Sequence, residues 1–244
     1  MSKNPRSRGL SPLLLASAVA ASLIVAVLVG LNLDSGDDSQ DRGAPAAAEP
    51  SERAPADEGE EEPDREADSG DPMSLGAADA PVVMVVYADH MCPFCAAWER
   101  DTLPELAERY VDSGDLRIEA RAFPYLGDRS HALAVGAEAA ARQELFWEYQ
   151  EQVFLRQDEI RSAGDPEPVM VEIADQVGMD QDQFTEDLDD ASLTEAVDQD
   201  FAEGQQLGLS GTPSFLINDE PLLGAQPMDV FEARIDEALA AEAG

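Results

Sequence analysis

Cys92 and Cys95 are the only cysteines in this chain of 244 residues, and two residues separate them at a junction between two kinds of hydrophobic pattern. Before them, Val82-Val83-Met84-Val85-Val86-Tyr87 is continuous, apolar and largely β-branched, the pattern of a buried strand. After them, Ala97, Trp98, Leu103, Leu106, Ala107 and Tyr110 recur at helical spacing. A helix that opens on Cys92 places its thiol beside unpaired backbone N–H groups and the positive end of the helix dipole, which favour thiolate over thiol. Cys95, one turn further in, lies within reach of Cys92. Three readings of the pair are open: a redox-active dithiol, half of a zinc site, and an inert structural bridge. Zinc takes about four ligands, and His90 and His131 are the only histidines available to help two sulfurs. A bridge over two residues closes a very short loop and constrains the unfolded chain little. The strand-to-helix context favours the redox reading.

The charge balance excludes other classes of function. The chain carries 52 acidic residues against 15 lysines and arginines, a formal net charge of −37, and Lys3 is its single lysine. Such a field repels nucleic acid and anionic headgroups. It also suits a protein kept soluble in high salt, where self-repulsion is screened.

Lys3, Arg6 and Arg8 precede an uncharged run from Leu10 to Leu31, long enough to cross a bilayer as a helix. A cleaved signal peptide has a shorter apolar region followed promptly by a small-x-small site. Here the run ends in Val29-Gly30-Leu31-Asn32-Leu33-Asp34, and Ala46-Ala47-Ala48 lies well beyond it. Residues 10–33 are therefore expected to be a single-pass signal-anchor, with residues 1–9 cytoplasmic and the rest outside the cell membrane. Residues 34–73 hold 15 acidic and 3 basic residues, and Met73 is their only large apolar side chain. Such a segment cannot offset chain entropy by burial and is expected to be a disordered acidic tether.

The folded part is expected over residues 74–244. A second strand reads from Leu116 to Phe123. Ser130 is the expected cap of an alanine-rich helix beginning near His131. Phe146 to Phe154, Val169 to Val177, Gln183 to Asp189 (with Asp182 as cap) and Ser192 to Leu207 continue the helical series. Ser214 to Asn218 reads as a third strand, Leu222 to Gly224 as an edge strand, and Met228 to Ala241 as a last helix with Phe231, Ile235 and Leu239 inward. The order implies an α/β fold with an all-helical insertion over about residues 129–207.

Val82–Cys95, Thr102-Leu103-Pro104, Gly127 with Ser130, Gln143 with Phe146-Trp147, and Gly211-Thr212-Pro213-Ser214-Phe215-Leu216-Ile217 together resemble the DsbA-like thiol-disulfide oxidoreductases. More closely they resemble the membrane-tethered or secreted members of Gram-positive bacteria. The resemblance spans residues 76–242. It implies a thioredoxin fold with a helical insertion between the second and third strands. It further implies that Cys92 is the attacking thiol, Cys95 the resolving thiol and Pro213 a cis-proline facing them. Thr212, Pro93 and Phe94 are expected to contact substrate. No organic cofactor and no metal are expected, because two sulfurs carry both electrons. The expected partners are client proteins with free thiols and a quinone-linked membrane reoxidant. An electron donor replaces the reoxidant if the protein is a reductase or isomerase. A third reading is a surface binding or chaperone module with a structural disulfide. The chain departs from the family twice: Phe94 stands where strongly oxidising members carry histidine, and Val86 stands where many carry a buried acid. His90 and Asp89 are the candidates to modulate the site in their place.

Overall fold

The computed structural model describes residues 70–243. The expected cytoplasmic segment 1–9, the expected signal-anchor 10–33 and most of the expected tether 34–73 lie outside the described residues. Among the described residues no helix is long and apolar enough to cross a membrane.

Among the described residues five strands form one sheet: β1 (Ser74–Leu75), β2 (Val82–Ala88), β3 (Leu116–Ala122), β4 (Ser214–Ile217) and β5 (Glu220–Leu223), in the spatial order β1-β3-β2-β4-β5. The apolar run of the sequence is β2, at the centre of the sheet. Val82, Met84, Val86 and Tyr87 are buried, and the intervening residues are half-buried on the other face. β2 pairs in parallel with β3, Met84 opposite Ile118, and antiparallel with β4, Val86 opposite Phe215. A parallel pair needs a crossover. It is made by α1 (Pro93–Asp101), α2 (Leu103–Leu106) and a π-helical turn, Ala107–Val111. The break at Thr102 follows from Pro104, which has no N–H to donate to the carbonyl four residues back. β4 and β5 form a hairpin whose two turn residues, Asn218 and Asp219, both have positive φ, 42° and 69°. Asparagine and aspartate tolerate that conformation. The Asn218 side chain then accepts from the Val83 N–H at 2.8 Å, tying the hairpin to the start of β2.

Between β3 and β4 the chain inserts six helices: α3 (Asp128–Ala141), α4 (Phe146–Leu155), α5 (Gln157–Ser162), α6 (Glu167–Gln176), α7 (Gln181–Leu188) and α8 (Ala191–Gln206). α9 (Met228–Glu242) closes the chain against the sheet. Counted from Val82, these strands are the second and third, so the fold is the expected thioredoxin fold with a helical insertion. Strand β1 is an addition at the edge beside β3. Asp71 and Met73, just before the expected start of the domain, are tied to it: the Asp71 carboxylate accepts from the Met73 N–H and the Ser74 hydroxyl, and the Met73 carbonyl accepts from the Ala120 N–H.

Two helix caps differ from expectation. α3 starts at Asp128, directly after Gly127 at φ 105°, so Ser130 lies inside the helix with its hydroxyl buried and unpartnered. α7 is capped by Asp180, whose carboxylate accepts from the Gln183 N–H at 3.0 Å, and Asp182 sits in the first turn. Gly178, at φ 89°, ends α6 early enough to leave Asp180 extended at the cap position.

One face of the sheet packs Trp98, Leu106, Phe231 and Ile235 against Met84, Val86, Ile118 and Phe215. The insertion has a core of its own around Leu133, Tyr149, Ile160, Ile173 and Phe184, and Trp147 touches both. Close approach between the layers uses missing side chains. A Cβ at Gly204 on α8 would lie 2.6 Å from Cδ2 and Cε2 of the buried Phe123 ring. Gly204→Ala gains up to about 1 kcal/mol of helix propensity but meets overpacking costs of about 1–3 kcal/mol. We expect a net loss of about 1 kcal/mol in urea unfolding of the full chain, and unchanged stability would show that the Phe123 ring yields freely.

Candidate active site

The site begins where β2 ends. Asp89 is fully buried, and its carboxylate accepts from the Met91 N–H at 2.7 Å and the Leu126 N–H at 2.8 Å. The Cys92 N–H donates to the Asp89 carbonyl at 2.9 Å. This turn delivers Cys92 to the N-cap of α1 (φ −79°, ψ 121°), and Pro93, which has no N–H to leave unpaired, starts the helix. Gln157, at the start of α5, is buried and donates its amide to two carbonyls of the same loop, His90 at 2.9 Å and Cys92 at 3.0 Å. The loop that bears the first cysteine is thus held from the sheet side by Asp89 and from the insertion by Gln157.

Cys92 and Cys95 are free thiols. The Cys92 thiol donates to the Thr212 carbonyl at 3.3 Å, and the Thr212–Pro213 peptide bond is cis. Phe154 of α4 packs against both cysteines. Cys92, Cys95, Thr212 and Pro213 therefore converge. Pro93 and Phe94, next to Cys92, are exposed, Phe94 to 66%.

The electrostatics separate the two sulfurs. Cys92 is lowered from its ordinary 9.0 to about 6, first by a hydrogen bond from the Cys95 thiol, with help from the Thr212 side chain and from the backbone N–H groups of Cys95 and Phe94; burial opposes them. Cys95 is pushed well above its ordinary value, first by burial and then by its interaction with Cys92. At neutral pH the negative charge resides on Cys92 and the proton on Cys95.

His90 does not supply a positive charge. Its ring is buried and stacks on Phe154 with centroids 5.5 Å apart, and burial lowers it to about 4 against the pull of Asp89. Neither His90 nor Asp89 is a surface residue. Among the described residues no group of three or more histidine, cysteine, aspartate or glutamate side chains is placed to hold a metal.

Three polar residues at this site escaped the reading of the sequence. Gln157 has no pattern to announce it. Glu99 and Gln150 form a buried pair, with the Gln150 amide donating to Glu99 Oε2 at 2.8 Å. Glu99 was marked in the sequence: it shares the helical stripe of Cys95 and Trp98, where an acid is out of place.

Because the Cys92 thiolate is favoured in the folded reduced protein, its stabilisation is complete above pH 9 and is lost as pH falls through 6. Ultraviolet thiolate absorbance of the reduced full chain should show one group titrating near pH 6, absent in Cys92→Ser. A single transition near the ordinary thiol value would contradict the hydrogen bonding described here.

Comparison with known proteins agrees with this geometry. Residues 68–237 match the family model described as Thioredoxin. A probable disulfide bond formation protein D of Bacillus cereus is 30% identical over 171 residues, covering 68% of this chain and 78% of that protein. The crystal structure of a double-cysteine variant of Wolbachia pipientis alpha-DsbA1 matches with a TM-score of 0.63 at 25% identity, over 70% of this chain and 92% of that one. Oxidised BdbD of Bacillus subtilis shares the fold, with a TM-score of 0.64 at 23% identity over 69% and 92%. A buried-strand, helix-start dithiol beside a proline loop, on a matching fold and in a matching sequence, places this chain in the thioredoxin family as a DsbA-like thiol-disulfide oxidoreductase.

Proposed function

We propose that the protein is a membrane-anchored oxidase that introduces disulfides into secreted or surface proteins. The observation that carries this reading is the division of the pair into a low-pKa sulfur at the helix start and a buried, protonated sulfur one turn below. A client thiolate attacks Cys92 Sγ of the Cys92–Cys95 disulfide, the S–S bond breaks, and Cys95 leaves with the electron pair and is protonated. A second client thiolate attacks the client sulfur of the mixed disulfide and expels Cys92 as a thiolate, a good leaving group at its low pKa. Two electrons pass from the client to the cysteine pair, and the client gains one disulfide.

The backbone of Thr212 is suited to pair with an extended client segment beside Cys92, with Pro213 behind it and Pro93 and Phe94 at the rim. The name of the Bacillus cereus relative, a disulfide bond formation protein, supports oxidation as the direction. A quinone-linked membrane partner then regenerates the disulfide. In this reading residues 10–33 hold the protein in the membrane with residues 1–9 in the cytoplasm, and the acidic tether 34–73 keeps the catalytic domain away from the anionic surface.

Equilibration of the full chain in glutathione buffers, with trapping of its thiol state, should give a potential between about −270 mV and about −120 mV, the values for thioredoxin and the strongest oxidant. Cys95→Ser should accumulate mixed disulfides with client proteins, and Cys92→Ser should lose exchange altogether. A potential at or below that of thioredoxin would instead assign a reductase or isomerase fed by a membrane electron donor. Mass spectrometry of the membrane fraction should find the apolar run retained. A mature chain starting near Gly43–Glu49 and released to the medium would overturn the anchor.

A further inference from the structure

Two soft dihedrals aim the Cys92 side chain, and each is tethered through a different backbone atom. The Cys92 N–H donates to the Asp89 carbonyl at 2.9 Å, within the same turn. The Cys92 carbonyl accepts from the Ala96 N–H at 3.2 Å and from the Gln157 side-chain amide at 3.0 Å. Of these partners, Gln157 is the one that comes from outside the turn and its helix. We infer that Gln157 is a positioning residue for thiol–disulfide exchange, holding the Cys92 backbone so that its sulfur stays on the donors at the start of α1. The inference rests on the thiol–disulfide chemistry proposed above and adds to it a residue of the insertion on which that chemistry depends.

The amide is placed for this task. It also donates to the His90 carbonyl at 2.9 Å, so one planar group grips the backbone on both sides of Met91. Two hydrogens at a fixed angle set the separation of those carbonyls as well as their direction. The sulfur needs such control because its donors are directional. They are the Cys95 thiol, the Thr212 side chain and the N–H groups of Cys95 and Phe94, which together hold Cys92 at about 6. Rotation about the Cys92 Cα–C bond would move Sγ relative to all of α1. The ψ of 121° that the carbonyl bonds maintain therefore keeps the sulfur on these groups.

The support behind Gln157 is braced at both ends. α5 has six residues, too few for a helix to persist unaided. At its start the Arg156 guanidinium pairs with Glu159 of α5 at 2.7 Å and with Glu172 of α6 at 2.8 Å. At its end Arg129 of α3 donates to the carbonyls of Ile160 and Ala163. Ile160 is buried in the core of the insertion, and Phe154, at the end of α4, packs on both cysteines. Three helices of the insertion thus fix the point from which the Gln157 side chain reaches the redox loop.

The test compares the full chain with Gln157→Met, which keeps the length of the side chain and removes both donors, by ultraviolet thiolate titration and glutathione equilibrium. The Cys92 transition should move up from about 6 by about one pH unit, the weight of one hydrogen bond to a charged group. At pH 7 the reduced form should then lose about fivefold in the glutathione equilibrium, a potential lower by about 20 mV. Gln157→Ala should shift both in the same direction and serves if the methionine variant does not fold. Ile160→Val loosens the packing of the same helix without touching the amide; it should lower the urea midpoint and leave the transition near 6. Gln157 variants that titrate like the wild type would overturn the assignment. So would an Ile160→Val protein that shifts as far as they do, or the failure of both Gln157 variants to fold, since Gln157 would then serve only stability. Unshifted Gln157 variants of an exchanging wild type leave the oxidoreductase reading standing, whereas a wild-type disulfide inert to glutathione removes that reading and this inference together.

Discussion

The buried carboxylate of Asp89 is the constraint on which the site depends. It takes two backbone N–H groups, from Met91 and Leu126, and so binds the end of β2 to the loop that follows β3. A fully buried polar group left unpaired costs about 1–3 kcal/mol, more when charged, so these partners are not optional once Asp89 is inside. Their effect is geometric. They set the turn that presents Cys92 at the N-cap of α1, and they hold the exposed Tyr125-Leu126 segment to the end of β2 through the Leu126 N–H. The parallel pairing of β2 with β3 supplies the registration within which this small tie can form.

Two electrostatic effects oppose each other at Cys92. The acidic excess of the chain disfavours any new negative charge, and the hydrogen bonds around the sulfur favour one. The balance falls to the hydrogen bonds, which hold the thiol at about 6 instead of 9.0. Exposed carboxylates beyond about 10 Å are screened at moderate salt. The local hydrogen bonds win because their donors, the Cys95 thiol and the amides at the start of α1, touch the sulfur and are partly dry. No imidazolium takes part: His90 is held neutral by the burial that stacks it on Phe154.

The fold was legible in the sequence where a single residue type has a single structural meaning. The β-branched run of β2 and the alternation of strands with helical spacing each left little choice, whereas the break before Pro104 falls inside what reads as one helical stripe. The caps of α3 and α7 were misread because serine and aspartate serve equally well at several adjacent positions. What chose among them was the positive φ of Gly127 and Gly178, a backbone state that sequence does not display. At the site, the cysteines, Thr212 and Pro213 were found from their motifs. His90 and Asp89 were noticed only as neighbours, since nothing local distinguishes a buried polar side chain from an exposed one. Gln157 could not have been found this way: its importance comes from a contact across 65 residues of chain. Glu99 was open to discovery as an acid on an apolar stripe.

Gln157 also changes what the helical insertion is. Both hydrogens of its amide go to carbonyls of the loop carrying Cys92, so the insertion and that loop form one mechanical unit. Any opening of α5 away from this loop must break both bonds; the Cys92 carbonyl keeps the Ala96 N–H, and the His90 carbonyl loses the Gln157 donor. Any event at Cys92 that moves its carbonyl is felt in α5. The geometry of the redox loop is thus fixed in part from outside the sheet, through backbone carbonyls rather than through sulfur, so the insertion is a structural part of the site and not merely a cover over it.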